Sequence, residues 1–427
     1  MKREFFAFSA FIVFPILAGC GGGGSSTPTP TPTPNPTPSV TVAITACPTT
    51  VQRGVTAVNG TPVYACTASV SGSSNTAVTW SSSSSASLQV GSTTGALTPL
   101  ARGSVVVTAT AAADSTKSAS ATIKVVDRLF NSQTEPLPWF NPGVEGAILY
   151  YLETDGSDSA ELLSTRECWY PAVSPDHKHV ACGTYPVPTD PVQFQSTELI
   201  VVTTDGTEAG TSASTPLANV QTFFYAWSPD GTKIVFVGAR KDPANSANTL
   251  VGVFTVNADL SGLTQLTSES FSGNTISFPG PASFSPDGKS IVYNMDADNK
   301  IHIMNADGTN PLALPVVGSD PVFTRDGSKI LFANMIWDSA QTRYITQIES
   351  MNPDGSNVQA IINPGFTNQE FLYYIAVSPD GKQFAYQYVD ATSVAPSNIY
   401  IANTDGSDAA DIPGGGSQGH GSDGFGW

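Results

Sequence analysis

The chain has 427 residues, enough for two or three domains and a large core, yet only 12% of them are charged and the formal net charge is −17. Residues 127–427 hold 33 of the 35 acids and only 12 of the 18 bases. A body so acidic repels phosphate backbones, which excludes nucleic acid as a partner; much of the acidity sits in Asp-Gly turns, where it serves turn formation and solubility.

The N-terminus reads as targeting rather than fold. Lys2 and Arg3 precede an apolar run, Phe5 to Ile16, too short to span a bilayer as a mature helix. Leu17-Ala18-Gly19-Cys20 follows. Basic end, apolar run and small residues before a cysteine together resemble the lipobox of bacterial lipoproteins. The resemblance implies a signal peptide over 1–19, cleavage before Cys20, and acylation of Cys20 by more than one chain, which anchors stably where a single chain does not. An Asp after the cysteine tends to mark inner-membrane retention in Gram-negative lipoproteins; Gly21 stands there, so the implied address is the cell envelope, at the outer membrane, facing the periplasm or the surface. Residues 21–38, "GGGGSSTPTPTPTPNPTP", form the rest of a spacer that begins at Cys20. Gly and Ser make it flexible, and alternating Pro favours polyproline II, which at roughly 3.1 Å per residue reaches about 55 Å.

Five cysteines are present: Cys20, Cys47, Cys66, Cys168 and Cys182. Setting aside the lipidated one leaves two local pairs, and an exported compartment permits disulfides. The pairs Cys47–Cys66 and Cys168–Cys182 are expected. No CxxC spacing points to a metal.

Residues 39–126 alternate apolar and polar residues in "SVTVAIT", "PVYACTASVSG", "AVTWSS", "ASLQVG" and "GSVVVTATA", with turn residues between them. Some seven short strands suggest a β-sandwich with Trp80 in its core. Thr79-Trp80-Ser81-Ser82, the Gly95-Ala96-Leu97 turn and Gly103 before a Thr/Val strand resemble the bacterial Ig-like group 2 domain. That resemblance implies a spacer or adhesion module, with carbohydrate binding as a further possibility.

From residue 127 onward the chain repeats itself. "VSPDHKHVACGT", "WSPDGTKIVFVG", "FSPDGKSIVYN", "FTRDGSKILFAN" and "VSPDGKQFAYQY" begin at Val173, Trp227, Phe284, Phe323 and Val377. Pro sets φ at the second turn position, Gly supplies positive φ at its end, and apolar residues then alternate to one face of a strand. Each copy is a hairpin. A second set of turns is marked by Asp155, Asp205, Asp259, Asp307, Asp354 and Asp405, at intervals of 50, 54, 48, 47 and 51. Four-stranded units at such a period predict an all-β fold with a six-bladed β-propeller over 127–427; a seventh, degenerate blade is the alternative. The closing "SDGFGW" is expected to supply the last strand of the ring. The "SPDGxxIxF" and "NxDG" motifs resemble the TolB-type propeller of bacterial envelope proteins, which implies protein partners in the periplasm. TolB-type chains carry an α/β domain where this chain carries the Ig-like domain and the anchor.

Catalytic signals are weak. Gly415-Gly416-Ser417-Gln418-Gly419 with His420 matches GxSxG, but lies in a Gly-rich tail without strand–turn–helix context. His177, His179, His302 and His420 are too scattered for the histidine-bound metal of a lyase-type propeller. His177 and His179 are expected to face water from a turn, and His302 to oppose Ile301 and Ile303. Asn294, Asp296 and Asp298 alternate as in the start of a calcium loop, but no Gly follows at the sixth position and no Glu at the twelfth.

No catalytic, metal or cofactor residue is therefore expected, and the chain reads as a monomeric, non-catalytic, lipid-anchored scaffold binding a protein or peptide. The loops at 185–196 and 239–248 are candidate contacts. Carbohydrate binding is the second reading and a propeller lyase or hydrolase the third.

Overall fold

A computed structural model of the chain describes residues 39–427 apart from 137–144, 164–166, 185–197, 205–207, 212–216, 218–219, 246, 273–279, 295–297, 339–342, 364–369, 391–397 and 413–421. Val40–Trp427 form one compact unit. Its regular structure is β, as the alternation of apolar residues requires.

Residues 41–126 build an N-terminal β-module. One sheet has the order Thr50–Gln52, Ser118–Val126, Gly103–Ala111, Val78–Ser82. A second pairs Thr41–Ala46 with Thr67–Ser71. Alternate residues of these strands point inward, so Val51, Trp80, Leu88, Leu97, Val107 and Ile123 make a buried core. Cys47 and Cys66 are disulfide-bonded beside it.

Six further sheets follow among the described residues. In blades 2 to 6 the chain runs from the innermost strand outward. Blade 2 is Trp169–Val173, His179–Thr184, Glu198–Thr203, Glu208–Thr211; in blade 3, Gln221–Trp227 begins the series and Lys233–Lys241 and Asn248–Asn257 follow. The inner strands of blades 4, 5 and 6 are Ser283–Phe284, Ser319–Phe323 and Glu370–Val377. Blade 1 differs. Its outer three strands are Arg128–Pro136, Glu145–Glu153 and Ser159–Leu163, but its innermost is Ser422–Gly426, from the far end of the chain. The six inner strands touch their neighbours in a closed circle, so this is a propeller whose ring is joined by strands from both ends of the repeat region. Cys168 and Cys182 are disulfide-bonded within blade 2, next to that join.

The repeated turn explains its own recurrence. In blade 3 the Ser228 hydroxyl donates to Asp230 Oδ1 at 2.5 Å and accepts from the Lys233 N–H at 2.9 Å. Asp230 Oδ1 also accepts from the Thr232 N–H at 3.0 Å, and Gly231 sits at φ +70°. Ser285, Thr324, Ser378 and Ser174 make the same bonds to Asp287, Asp326, Asp380 and Asp176. Turns between third and fourth strands are wired through Asp259, Asp307, Asp354 and Asp405, each accepting from the N–H two residues on. Both kinds of turn lie on one face, called the turn face below.

The N-terminal module rests on that face. Arg53 binds Asp127 and Asp380, each at 2.7 Å, and reaches Gln383 at 3.2 Å. Asn59 donates to the Asp230 carbonyl at 3.4 Å. Asp380 belongs to blade 6 and Asp230 to blade 3, opposite one another in the ring, so residues 53–60 span the turn face. Arg102 adds ion pairs to Glu153 and Asp155.

Candidate functional site

The axis of the ring is where the described side chains converge. Four of the inner strands break register at the same place: between Trp169 and Ala172, Phe223 and Tyr225, Ser319 and Val322, and Tyr373 and Ala376. The residue at each break is left-handed: Tyr170 at φ +55°, Phe224 at +53°, Asp320 at +53° and Tyr374 at +51°. Non-glycine residues pay roughly 1–2 kcal/mol to sit there, and such bulges re-aim side chains. All four stand four residues before the turn Ser or Thr of their blade, and Pro281 holds the equivalent place in blade 4.

These five residues line one axial cavity of about 100 Å³. The Tyr170 and Phe224 rings lie 4.6 Å apart, and Tyr374 is 6.0 Å from Tyr170 and 6.1 Å from Phe224. Asp320 is the one acid of the group. It is buried, its Oδ1 accepts from the Tyr374 N–H at 3.4 Å, and burial raises its carboxyl above the usual range. The arrangement presents aromatic faces around a single carboxyl, which suits an apolar, aromatic or cationic group entering along the axis.

No sequence motif marks any of these residues. Their spacing from the turn Ser was the available signal, but Tyr, Phe, Pro, Asp and Tyr share no chemistry that marks them as one set.

The histidines do not converge. His177 is a correction: it is only 9% exposed and lines a second axial pit at the turn face instead of facing water. Its left-handed backbone, at φ +52°, turns the side chain inward. His179 lines a cleft of about 450 Å³ shared by Val58 of the N-terminal module and the turns of blades 2 and 3. His302 is bound to Asp298 at 3.0 Å and stacked on Tyr293 in blade 4. His420 and the GxSxG stretch at 415–419 lie outside the described residues. Among the described residues no group of three or more His, Cys, Asp or Glu is placed to hold a metal. Asp298 is committed to His302 and the Lys300 N–H, Asn294 is buried, and Asp296 lies outside the described residues.

The described residues of the expected contact loop at 239–248 join the second and third strands of blade 3; the loop at 185–196 lies outside the described residues. Blade 5 carries an exposed pair that sequence reading passed over. Trp337 and Tyr344 are 54% and 53% exposed, with rings 4.9 Å apart.

No protein-family model matches the chain. Among curated proteins it is similar to an uncharacterized protein of Agrobacterium fabrum, 24% identical over 250 residues, covering 56% of this chain and 77% of that one. Among solved structures it is similar to TolB from Acinetobacter baumannii, with a TM-score of 0.52 and 14% identity, covering 80% of this chain and 81% of that one. This chain has the propeller fold of TolB. An oligogalacturonate lyase in complex with manganese is similar at a TM-score of 0.42 and 16% identity, over 62% of this chain and 70% of that one. A periplasmic gluconolactonase from Pseudomonas aeruginosa is similar at 0.41 and 14%, over 66% and 82%. The expectation that the chain is not an enzyme is corrected: the solved structures similar to it include enzymes, and a fold by itself implies neither catalysis nor its absence.

Proposed function

We propose that this chain is a lipid-anchored protein of the cell envelope whose propeller binds a protein or peptide partner at its axis. In this reading Cys20 is acylated at the outer membrane, residues 21–38 are the spacer, and residues 39–126 are an Ig-like sandwich that carries the propeller of residues 127–427. The observation that carries the binding site is the ring of left-handed residues. Tyr170, Phe224 and Tyr374 are held in a costly conformation that brings their rings together on the axis, next to the buried Asp320. Strain retained at equivalent places in several repeats points to function. The N-terminal module already occupies the turn face, so a partner enters from the opposite face. A partner bound there can be a ligand or a substrate; the geometry serves both.

The test is affinity capture from envelope extract on the immobilised full-length chain, beside a Phe224→Ala/Tyr374→Ala variant of matched fold. The expected result is a partner retained by the parent chain and lost by the variant. An identical retained set would overturn the axial site.

A carbohydrate ligand is the second reading, and the exposed Trp337–Tyr344 pair favours it, since sugar faces pack on such rings. Loss of glycan binding in Trp337→Ala, with the Phe224→Ala/Tyr374→Ala variant unaffected, would move the site to blade 5.

A further inference from the structure

Two departures among the five turns of the repeat, one at the second position and one at the left-handed position, fall in one place. Four turns carry Pro at the second position, Pro175, Pro229, Pro286 and Pro379; the blade 5 turn carries Arg325. Four carry Gly in the left-handed position, at Gly231, Gly288, Gly327 and Gly381; the blade 2 turn carries His177. Neither departure is required by the turn. Thr324 still bonds Asp326 at 2.7 Å and accepts from the Lys329 N–H at 3.0 Å; Ser174 still bonds Asp176 at 2.6 Å and accepts from the His179 N–H at 3.0 Å. A histidine replaces glycine there at a conformational cost, and nothing local repays it.

Both side chains enter the pit of about 150 Å³ on the axis at the turn face. Its remaining walls are mostly apolar, including Trp227, Phe284, Phe323 and Trp427. His177 Nδ1 is buried without a hydrogen-bond partner. Arg325 is exposed to the pit, and no hydrogen bond or ion pair holds its guanidinium among the described residues. The chain has 35 acids, yet no Asp or Glu is among the residues lining this pit. A guanidinium and an imidazole lining the same pit have no mutual attraction. An anion between them satisfies both: the guanidinium fork matches two oxygens, and the imidazole supplies a further hydrogen bond. The pit's size admits a compact group and not a folded partner.

We propose that Arg325 and His177 form a binding site for a small oxyanion, a carboxylate or phosphate group, at the turn-face end of the channel. The site stands apart from the aromatic level of the axis and is independent of what binds there.

The two departures also define the test. Arg325→Pro and His177→Gly each restore the residue of the sister turns, so both variants keep a turn the fold already uses. The full-length protein, held at constant ionic strength with sodium chloride, is titrated with inorganic phosphate and separately with acetate. The thermal midpoint and the His177 imidazole signals in isotope-edited NMR are followed together. The expected result is a saturable change in both readouts with at least one anion, and an affinity at least ten-fold weaker in each variant. A response to phosphate alone assigns a phosphoryl ligand, and a response to acetate alone assigns a carboxylate. His177 signals that move with neither anion, or an Arg325→Pro variant that binds as the parent does, would overturn the site.

Discussion

His177 stays neutral in the folded protein. Burial is the main cause and the Arg325 charge adds to it, bringing its pKa down from 6.5 to about 3, while Asp176 pulls the other way. Unfolding frees the imidazole to bind a proton, so the unfolded state takes up more protons between those two values. Stability from this group is therefore complete above pH 6.5 and is lost as pH falls toward 3, at up to about 1.4 kcal/mol per pH unit. His177→Gly is expected to flatten that part of the profile. Urea midpoints at pH 7 and pH 5 for parent and variant check it, and parallel slopes would refute it. The turn carboxylates act lower down. Hydrogen bonds from Ser285, Thr324 and Ser407 hold Asp287, Asp326 and Asp405 below the usual carboxylate range. Their contribution is present above the ordinary carboxylate pKa of 3.8 and is lost as acid protonates them, so it overlaps only the acid end of the His177 window and leaves the interval from pH 7 to pH 5 to the imidazole.

Within each blade, the turn fixes where the first two strands meet. The Ser228 hydroxyl both accepts from the Lys233 N–H and donates to Asp230, so Ser228→Ala leaves a backbone donor and a carboxylate oxygen without that partner. The expected loss is about 1–2 kcal/mol, read from denaturant unfolding; a change below a few tenths would mean that the backbone bonds alone hold the turn. This element was legible in the sequence because its chemistry is local. Ser, Pro, Asp and Gly each answer one need within six residues, and the spacing of the second turns gave the repeat. The bulges at Tyr170, Phe224, Asp320 and Tyr374 were not legible. They arise where six inner strands crowd one axis, and a residue's distance from that axis is not written in its neighbours. The inward turn of His177 was missed for a related reason: a polar residue in a turn ordinarily faces water, and here the left-handed backbone aims it at the pit.

On the scale of the whole molecule, Asp127 ties three distant parts of the chain. It receives Arg53 from the N-terminal module, the Trp427 indole N–H at 3.2 Å, and the Thr154 hydroxyl at 3.2 Å. Arg53 bridges on to Asp380, and these side chains are 15%, 5% and 14% exposed for Arg53, Asp127 and Asp380. Removing one partner of such a buried group leaves carboxylates uncompensated, so Arg53→Ala is expected to cost about 3–5 kcal/mol in denaturant unfolding. A loss under about 1 kcal/mol would show that the module and the propeller are stable independently of this contact. The closing strand was legible in the sequence but this clasp was not, since Arg53 and Asp380 are 327 positions apart and neither lies in a motif that names the other.

The axial site can be probed in place. A photo-crosslinking residue substituted for Phe224 in the full-length, membrane-anchored chain reports what approaches the aromatic ring in intact envelopes. The expected result is a discrete crosslinked product from position 224 that is weakened by Tyr374→Ala. No product at 224, with a strong one from a crosslinker at Trp337, would contradict an axial site and place the partner on blade 5.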